Sequence, residues 1–457
     1  MTLAADARAI ALGGVRAVAP GPCVRSAISR SGGWVHVGGR RLLRESPGAI
    51  HLVALGKAAG PMIDAAVAAL GRSRGAGIAV PPKGYERPVS DVEVVVGDHP
   101  VPGPGSERAG RALLGFVATR PERTAILFLI SGGGSAVAEV PSDPLALVDL
   151  VGTHRALLGS GGPIGATNAV RRHLSAIKGG GLARAAGRRP YATLAISDVV
   201  GDAPWEIASG PTVPDPTTFR DALDAVRRWR IGPRMPPRAL RYLQDGVVGR
   251  RPETWKPSRS AREYRSFHLV ASNRRARAGA VEAARRRGYD ARAIDGDITG
   301  EASIVGPRLA RELRRLGVHT SRPTALVSGG ETTVTLGAAP GRGGRSQELA
   351  LSSVLALDGV PRVHLLALGT DGIDGPTEAA GGSVDGTTAA RARRRGVDLA
   401  LALRRHDAYP ALRALGGLVV TGPTGTNVAD LQVRLVGPRA APARRRRRSG
   451  AGARADR

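Results

Sequence analysis

The sequence is short of cysteine and of long apolar segments, and each shortage excludes a class of protein. Its 457 residues contain one cysteine, Cys23, which rules out an internal disulfide and any zinc site built from several cysteines. No apolar run approaches the roughly 18 residues that a membrane span needs, and no apolar signal-peptide core stands at the start of the sequence. The pattern therefore predicts a cytoplasmic protein with no membrane partner.

Aromatic residues and lysine are scarce as well. Aromatic side chains make up 3 % of the chain, and the only lysines among 67 basic residues are Lys57, Lys83, Lys178 and Lys256, although the formal net charge is +29. So large a charge is typical of proteins that bind nucleic acid, but few aromatic rings are available to stack on bases. We therefore expect no specific nucleic-acid partner, and a basic nucleic-acid-binding protein is the non-enzymatic alternative.

Short apolar segments alternate with glycine turns and alanine-rich segments of helical period along the chain. Such alternation of strand and helix predicts an α/β fold built on parallel sheets. The expected strands are His51–Leu55, Gly77–Val80, Val92–Val96, Ala125–Ile130, Tyr191–Ile196, Phe267–Ala271, Thr324–Val327, Val363–Leu368 and Leu418–Thr421.

A polar stretch punctuated by proline divides this series of strands and helices into two domains. We predict a doubly wound N-terminal domain over residues 1–250, a linker over 251–265 and a smaller α/β domain over 266–437. The remaining segment, 438–457, carries the densest run of arginines among Pro, Ala and Gly, and is predicted to be a basic disordered tail.

Three consecutive glycines follow one of the predicted buried strands. The string SGGGS lies between Ala125–Ile130 and the start of a helix, where backbone N–H groups can approach an anion closely and the helix dipole favours negative charge. The string lacks the lysine and spacing of a Walker A loop and fits no GxGxxG fingerprint, so a tight turn without a ligand is the alternative. The predicted phosphate-binding residues here are Ser131, Gly132, Gly133, Gly134 and Ser135.

Two of the rare lysines lie beside glycines. Lys57 follows the strand His51–Leu55, in VALGKAAG, where a merely solvated lysine at a helix start would oppose the helix dipole. We therefore predict that its ammonium group binds an anion at the edge of the sheet. Lys178 precedes three glycines at the end of a predicted helix, where contact with the helix C-terminus explains it equally well.

Carboxylates follow two of the predicted strands. Asp198 and Asp202 come after Tyr191–Ile196, and Asp371 and Asp374 come after Val363–Leu368. Such carboxylates can hold Mg²⁺ through one or two oxygens or act as a base, while capping of a turn is the alternative for each of them. We expect no metal site made of His and Cys.

Arg345 lies in GRGGRSQE, where glycines on both sides leave room for its guanidinium to enter a site. A planar guanidinium suits a carboxylate or a transferring phosphoryl group. A glycine loop, carboxylates, a lysine and an arginine are together what phosphoryl transfer requires, because its catalysis consists mostly of positioning and charge neutralisation. From the residues alone we predict an α/β enzyme that acts on phosphates, with no substrate named.

At these same motifs the sequence resembles the glycerate 2-kinase family with a C-terminal MOFRL domain. The resemblance covers nearly the whole chain, from about Asp6 to Val436. The strings that carry it are VALGKAAG, GDHPVPGPGS, LFLISGGGSA, TNAVRRHLSAIKGGGLA, SDVVGDAPWEIASGPTVPDPTT, SGGETTV, GRGGRSQELAL, GTDGIDGPTEAAGG and TGPTGTNVADL.

The resemblance implies phosphorylation of D-glycerate by ATP to give 2-phosphoglycerate, with ATP and Mg²⁺ required. It implies a Rossmann-like N-terminal domain, an active site in the cleft beside the MOFRL domain, and a monomer or homodimer. The implied catalytic residues are Lys57, Arg345 and Asp198. Nucleotide and phosphate binding is implied for the SGGGS segment and for Lys178, Gly329, Gly330 and Glu331. The implied substrate-loop residues are Asp371, Asp374, Thr424 and Asn427, with Asp198 and Asp371 as metal ligands.

Two departures from the family pattern stand out. Ser346 occupies a position that is commonly Asn in the family, and His406 with Asp407 stands where a pair like Asn-Asp is common. Either difference bears on how Arg345 or the substrate loop is held. Reduction of hydroxypyruvate is the enzymatic alternative, and the missing GxGxxG fingerprint for a dinucleotide argues against it.

Overall fold

The computed structural model describes residues 2–258, 266–320, 322–337 and 340–438. Most of the predicted tail, 439–457, and the end of the predicted linker, 259–265, lie outside the described residues. Within the described part of the chain, no helix is both long and apolar enough to cross a membrane.

Two opening helices precede a small sheet made of the first three strands, and the helices and strands of two larger sheets follow. The helices are α1 Leu3–Ala17, α2 Pro20–Ala27, α3 Ala59–Leu70, α4 Pro104–Ala118, α5 Gly134–Val137, α6 Leu147–Leu158, α7 Ile164–Leu174, α8 Gly181–Ala185, α9 Phe219–Arg228, α10 Pro237–Val247, α11 Asn273–Arg285, α12 Ala302–His319, α13 Arg345–Leu357, α14 Thr388–Arg394, α15 Leu399–Arg404 and α16 Ala408–Leu415. The strands are β1 Ile28–Ser31, β2 Trp34–Val37, β3 Arg40–Arg44, β4 Ile50–Leu55, β5 Arg74–Val80, β6 Val92–Val94, β7 Ala125–Ile130, β8 Tyr191–Ile196, β9 Phe267–Ala271, β10 Asp290–Ala293, β11 Ile298–Glu301, β12 Thr324–Thr333, β13 Val363–Gly369, β14 Gly381–Asp385, β15 Leu418–Val419 and β16 Asp430–Val436.

The first large sheet is parallel throughout, with strand order β6-β5-β4-β7-β8-β9. Successive side chains of a strand point to opposite faces. On β4, Leu52 therefore packs in one core with Met62 of α3, whereas Val53 packs in another with Leu113 of α4. Helices on both faces make this a doubly wound α/β domain, which confirms the predicted fold class.

The strand order of this sheet reverses direction between β4 and β7. From β4 the chain proceeds to β5 and β6 on one side, and it then returns to β7, β8 and β9 on the other. In open α/β sheets, ligands bind outside the carboxyl ends of the strands at such a reversal. The loops that start at Gly56 and Ser131 lie at this point, because they follow β4 and β7 directly.

The sequence assigns Phe267–Ala271 to the second domain, whereas the structure pairs this strand with β8 as the edge strand of the first sheet. The proline-rich stretch before it indicates an irregular segment, but it says nothing about which sheet the next strand joins. The helix α11 then leaves the carboxyl end of this sheet and packs on the second one. The domain boundaries themselves stay predictions.

The second large sheet is mixed, with strand order β10-β12-β16-β13-β14-β15 and β11 beside β12. Strands β10 and β11 pair with β12 in parallel. The other pairs, beginning with β12 and β16, are antiparallel. Helices α12 and α13 cover one face, in a core that contains Leu365. Helices α1 and α11 cover the other face, in a core that contains Leu366 and Leu431.

The first helix of the chain thus packs on the second sheet rather than on the first. Gly13 and Gly14 of α1 allow close contact with α11, since a Cβ on Gly13 would lie 2.5 Å from the Cβ of Ala283. Arg275 of α11 donates hydrogen bonds to the backbone carbonyls of Ala17 at 3.0 Å and Val270 at 3.1 Å. The end of α1 and the end of β9 are therefore tied to the same side chain.

Candidate active site

A cavity of about 540 Å³ lies between the two large sheets, at the carboxyl ends of the first-sheet strands. Residues of the first domain contribute a lysine and an aspartate, and the second domain contributes the rest of the wall. Its charged and polar lining consists of Lys57, Asp198, Glu331, Arg345, Glu348, Asp371, Asp374, His406 and Asn427. Its apolar lining consists of Val334, Leu336, Pro340, Ile373 and Pro376.

Lys57 is held at the reversal of the first sheet by bonds between two loops. Its backbone N–H donates to the carbonyl of Gly132 at 2.9 Å, and the next N–H, of Ala58, donates to Ser131 Oγ at 3.0 Å. The ammonium nitrogen lies 3.7 Å from Asp371 Oδ2, which is longer than a close ion pair. The lysine therefore has a fixed backbone and an ammonium group that faces the cavity, with a long contact to Asp371 and a cation–π contact 5.9 Å from the centre of the Tyr85 ring.

The glycine loop after β7 packs directly beneath the two first-domain side chains of the cavity. A Cβ on Gly132 would lie 2.0 Å from Asp198 Oδ2, and one on Gly133, whose φ is +84°, would lie 3.3 Å from Lys57 Cγ. Glycine is thus required here because two charged side chains approach the backbone closely. Among the hydrogen bonds of the described residues, the backbone N–H groups of Gly132 and Gly133 have no acceptor.

The rest of the SGGGS segment connects the loop to its surroundings. Ser131 Oγ donates to the carbonyl of Leu55 at 3.2 Å, and Ser135 Oγ shares a hydrogen bond with Ser209 Oγ at 2.8 Å. A Cβ on Gly134 would lie 2.6 Å from the Cβ of Ala208. These three residues fix the loop and do not line the cavity.

Asp198 stands two residues after the end of β8 and contacts a side chain of the second domain. Its Oδ2 accepts a hydrogen bond from the Asn427 side chain at 3.0 Å. Burial raises the pKa of Asp198, while the positive charge of Lys57 opposes the rise and the negative charge of Asp371 adds to it. A carboxylate whose pKa is raised toward neutrality can accept a proton from a bound hydroxyl group.

Arg345 is the first residue of α13 and is fixed by two carboxylates. Its Nε and Nη2 donate to Asp430 at 2.7 and 2.9 Å, and its Nη1 lies 2.7 Å from Glu331 Oε1. Although burial lowers the pKa of Arg345, Asp430 and Glu331 raise it above its usual range. The planar guanidinium is therefore permanently charged, and it has N–H groups left that can bind a substrate.

Asp374 lines the cavity but is used as a helix cap. Its carboxylate accepts the backbone N–H groups of Ser346 at 3.1 Å and Gln347 at 2.8 Å, at the start of α13. Burial raises the pKa of Asp374 to about 6. Since Ser346 is held through its backbone N–H, Asp374 fixes the helix start that carries Arg345 whichever side chain stands at position 346.

Asp371 and Thr424 hold the loop that closes this side of the cavity. The backbone carbonyl of Asp371 accepts the N–H of Thr424 at 3.0 Å, and Thr424 Oγ1 donates to the carbonyl of Thr370 at 2.6 Å. Thr424 thus stabilises the loop, whereas the Asp371 carboxylate faces Lys57.

Lys178 does not reach the cavity. Its side chain is only 3 % exposed, and its ammonium group is paired with the carboxylate of Glu139. The glycine turn after it therefore presents the lysine to a buried partner that lies 39 residues earlier in the chain. The structure does not bring this predicted nucleotide-binding residue to the other site residues.

The string SGG at residues 328–330 is not a turn. The sequence predicts a strand that ends at Val327, whereas β12 continues to Thr333 because β11 and β16 pair with its second half. A Cβ on Gly329 would lie 1.9 Å from Asn273 Oδ1, and one on Gly330 would lie 2.4 Å from the backbone of Ile298. The two predicted phosphate-binding glycines here allow close packing of the sheet and of α11. Glu331, the next residue, does reach the cavity.

Three residues of the site were missed as candidates. Asp430 orients Arg345, and Glu348 accepts a hydrogen bond from His406 Nδ1 at 3.0 Å in the cavity wall. Asp430 and Glu348 stand in two of the strings that carry the resemblance, TGPTGTNVADL and GRGGRSQELAL, and His406 stands at the departure at 406–407. Only their contacts across the fold distinguish them from their neighbours.

The carboxylates of the cavity can supply a metal ion with two protein ligands at most. Within the described ranges, no group of three or more His, Cys, Asp or Glu side chains is arranged to hold a metal. The negative charge of Asp371 is close enough to Asp198 to contribute to the raised pKa of the Asp198 carboxyl. Two carboxylates of this kind fit Mg²⁺, which usually retains waters and binds substrate phosphates.

The sequence and the fold of this chain are similar to those of known proteins. Residues 6–244 match the family model DUF4147, described as a domain of unknown function, and residues 324–430 match the MOFRL family. A glycerate 2-kinase of Pyrococcus horikoshii is 37 % identical over 427 residues, 92 % of this chain and 94 % of that protein. An Agrobacterium vitis protein provisionally named a hydroxypyruvate reductase is 41 % identical over 390 residues, 84 % of this chain and 87 % of that protein. The crystal structure of a glycerate kinase from Thermotoga maritima superposes with a TM-score of 0.81 at 35 % identity, covering 95 % of this chain and 99 % of that one.

Proposed function

This chain belongs to the glycerate kinase family whose members join a DUF4147 domain to a MOFRL domain, and we propose that it transfers the γ-phosphoryl group of ATP to the C2 hydroxyl of D-glycerate. The products are 2-phosphoglycerate, ADP and the proton released from the hydroxyl group. The observation that carries the proposal is the meeting of Lys57, Arg345 and Asp198 in one cavity between the domains.

The two cations are suited to bind the anionic groups of both substrates. Lys57 offers a compact ammonium group with a loose partner at 3.7 Å, so an incoming phosphate or carboxylate replaces little existing interaction. Arg345 is held rigidly by Asp430, and little side-chain entropy is then lost when it binds substrate. We assign both to the glycerate carboxylate and to the charge on the transferring phosphoryl group.

Asp198 is the group best placed to accept the proton of the C2 hydroxyl. Its raised pKa makes it a stronger base than an exposed carboxylate. Asn427 orients it through the hydrogen bond to Oδ2. The other oxygen is left for the substrate.

The glycine loop and the two aspartates are suited to the phosphates of ATP. The free N–H groups of Gly132 and Gly133 lie beside Lys57, and backbone N–H groups of this kind bind phosphate oxygens. With Asp198 as the base, Asp371 would hold Mg²⁺, and the ion would supply charge neutralisation at the phosphoryl oxygens. A cation there also offsets the repulsion between the two carboxylates.

Reduction of hydroxypyruvate is the second candidate, because one close relative carries that provisional name. The features that distinguish the candidates are the paired cations of the cavity, which suit a phosphoryl group, and a sequence without a GxGxxG dinucleotide fingerprint. We expect no oxidation of NADH or NADPH when the protein is mixed with hydroxypyruvate.

One incubation tests the proposed reaction. Purified protein is mixed with ATP, Mg²⁺ and D-glycerate, and the phosphoglycerate isomer is identified by NMR. We expect 2-phosphoglycerate and an equal amount of ADP. Formation of 3-phosphoglycerate would correct the position of transfer, and no phosphoglycerate at all would overturn the proposal.

A further inference from the structure

The cavity has a second half that glycerate alone would not fill. Its volume of about 540 Å³ falls in the range of pockets that hold drug-sized ligands, which is far more than the three carbons of glycerate need. Toward the first domain the lining is Lys57 and Asp198, whereas toward the second domain it includes Val334, Leu336 and Ile373. We call these last three residues the apolar wall.

The apolar wall is uncovered in an otherwise polar cleft. Leu336 is 59 % exposed and Ile373 is 39 % exposed, although large apolar side chains are usually buried unless they meet a ligand or a partner. The neighbouring interdomain cavity is smaller, about 260 Å³, and mixes the charged residues Asp202, Arg274, Arg277 and Asp297 with the apolar residues Val199, Val200, Leu269 and Val428. The cavity that contains Lys57 and Arg345 has an anion-binding end and an apolar end.

His406 adds one directed polar atom beside the apolar wall. Its Nδ1 lies 3.0 Å from Glu348 Oε2, and a carboxylate accepts only from a nitrogen that carries hydrogen. In the neutral ring, Nε2 is then left as an acceptor. A ligand with an apolar aromatic part and an N–H or O–H donor would match this end of the cavity.

We propose that the apolar wall is the nucleoside subsite, where the base of the phosphoryl donor packs on Val334, Leu336 and Ile373 while its phosphates extend toward Lys57 and the glycine loop. This inference rests on the proposed function, because it takes the donor to be a nucleotide. It assigns base binding to the second domain, so that the nucleotide spans both domains. Arg345 lines the same cavity, one helical turn before Glu348 on α13.

The test compares a nucleotide with a phosphate chain that has no base. Leu336 and Ile373 are replaced together by Ser, and because both are exposed the change does not open the core. We expect the KM for ATP and the Kd for ADP, measured by calorimetry, to rise about ten-fold or more, as a pocket that loses several methylene contacts does. The KM for D-glycerate and the inhibition constant of inorganic triphosphate should stay within two-fold.

The matched control is Ile304→Ser on α12, where the isoleucine is 72 % exposed and lies outside the cavity. It should change none of these constants. His406→Ala should raise the KM for ATP a few-fold and leave triphosphate inhibition unchanged, since it removes one hydrogen bond to the nucleoside.

The outcomes separate this inference from the reaction itself. A rise in the KM for glycerate, an equal loss of ADP and triphosphate binding, or no change in the double variant would each overturn the subsite. Where the wild-type protein phosphorylates no glycerate but binds ADP, and the double variant loses that binding, the subsite stands and the proposed function falls. A wild-type protein that binds no ADP overturns the subsite.

Discussion

Lys57 and Lys178 belong to the same domain, lie in loops next to glycine, and differ in almost every physical respect. Lys57 faces a cavity and has a carboxylate at 3.7 Å, while Lys178 is buried and tightly paired with Glu139. A buried charge is tolerable only with its partner, so Lys178 is committed to Glu139. A partly exposed lysine with a loose partner can exchange it for a ligand. The distance to the partner and the burial of the pair, rather than the residue type, separate a binding cation from a structural one.

The largest expected effect that tests this difference is the loss of Lys57. Lys57→Ala should lower kcat/KM about a thousand-fold, the loss expected for one transition-state charge contact, because its ammonium group is free to bind the transferring group. The melting temperature should stay within a few degrees, since the lost ion pair is long. Arg345→Ala should lower kcat/KM by a similar factor. Turnover like that of the wild type in either variant would contradict the assignment.

Removing Lys178 should instead affect stability. Lys178→Met leaves Glu139 charged and unpaired in the interior, which costs about 3–5 kcal/mol of the free energy of unfolding, measured by urea denaturation. The double variant Glu139→Gln with Lys178→Met should recover most of that loss. A Lys178→Met protein of normal stability and thousand-fold lower kcat/KM would place Lys178 in the nucleotide site after all.

Asp374, a carboxylate in the wall of the cavity, is expected to make the stability of the protein depend on pH. Burial raises the pKa of Asp374 to about 6, above its value of about 3.9 in an unfolded chain. Between these values the folded state holds a proton that the unfolded state has released, so rising pH lowers stability across this window. Asp374→Asn carries no such proton, and its stability relative to the wild type should rise by up to about 3 kcal/mol from pH 4 to pH 7.

Denaturation of both proteins at several pH values between 4 and 7 measures this difference. An amide in place of the carboxylate changes the stability of the helix cap by the same amount at every pH. The difference between the two slopes of unfolding free energy against pH is therefore unaffected by that change. Parallel pH profiles would show that Asp374 ionises in the folded state as readily as in the unfolded one.

The smallest effect is expected from the basic segment 439–457, which lies outside the described residues. Removal of residues 439–457, which contain the run of arginines at 444–448, should leave kcat/KM within two-fold, because the cavity draws its cations from Lys57 and Arg345. Retention on heparin should weaken at the same time. Strong retention that persists without this segment and falls steeply as salt is raised would favour the nucleic-acid alternative.

Local patterns in the sequence predicted individual strands well, but they did not predict which strands pair with one another. Ala125–Ile130, Tyr191–Ile196 and Phe267–Ala271 are strands over the predicted residues, because a short apolar run bounded by turns is a local signal. That Phe267–Ala271 pairs with β8, and that SGG at 328–330 lies inside a strand, depends on partners far away in the chain. Hydrophobic periodicity carries no information about such partners.

The site shows the same division. Lys57, Arg345, Asp198 and Asp371 were predicted from glycine turns and strand ends, and the structure brings them together in one cavity. The roles of Asp374 as a cap and of Asp430 as the partner of Arg345 follow from contacts across 27 to 85 residues. Those contacts are visible only once the chain is folded.

The packing of α1 on the second sheet has a mechanical consequence. The chain passes from one large sheet to the other twice, once just after α1 and once between β9 and α11, and Arg275 ties both crossings together through the carbonyls of Ala17 and Val270. Two adjacent crossings constrain the relative position of the two sheets at more points than a single connection would. The two sides of the site, with Lys57 after the first sheet and Arg345 at the start of α13, are therefore joined by two neighbouring stretches of backbone rather than by one.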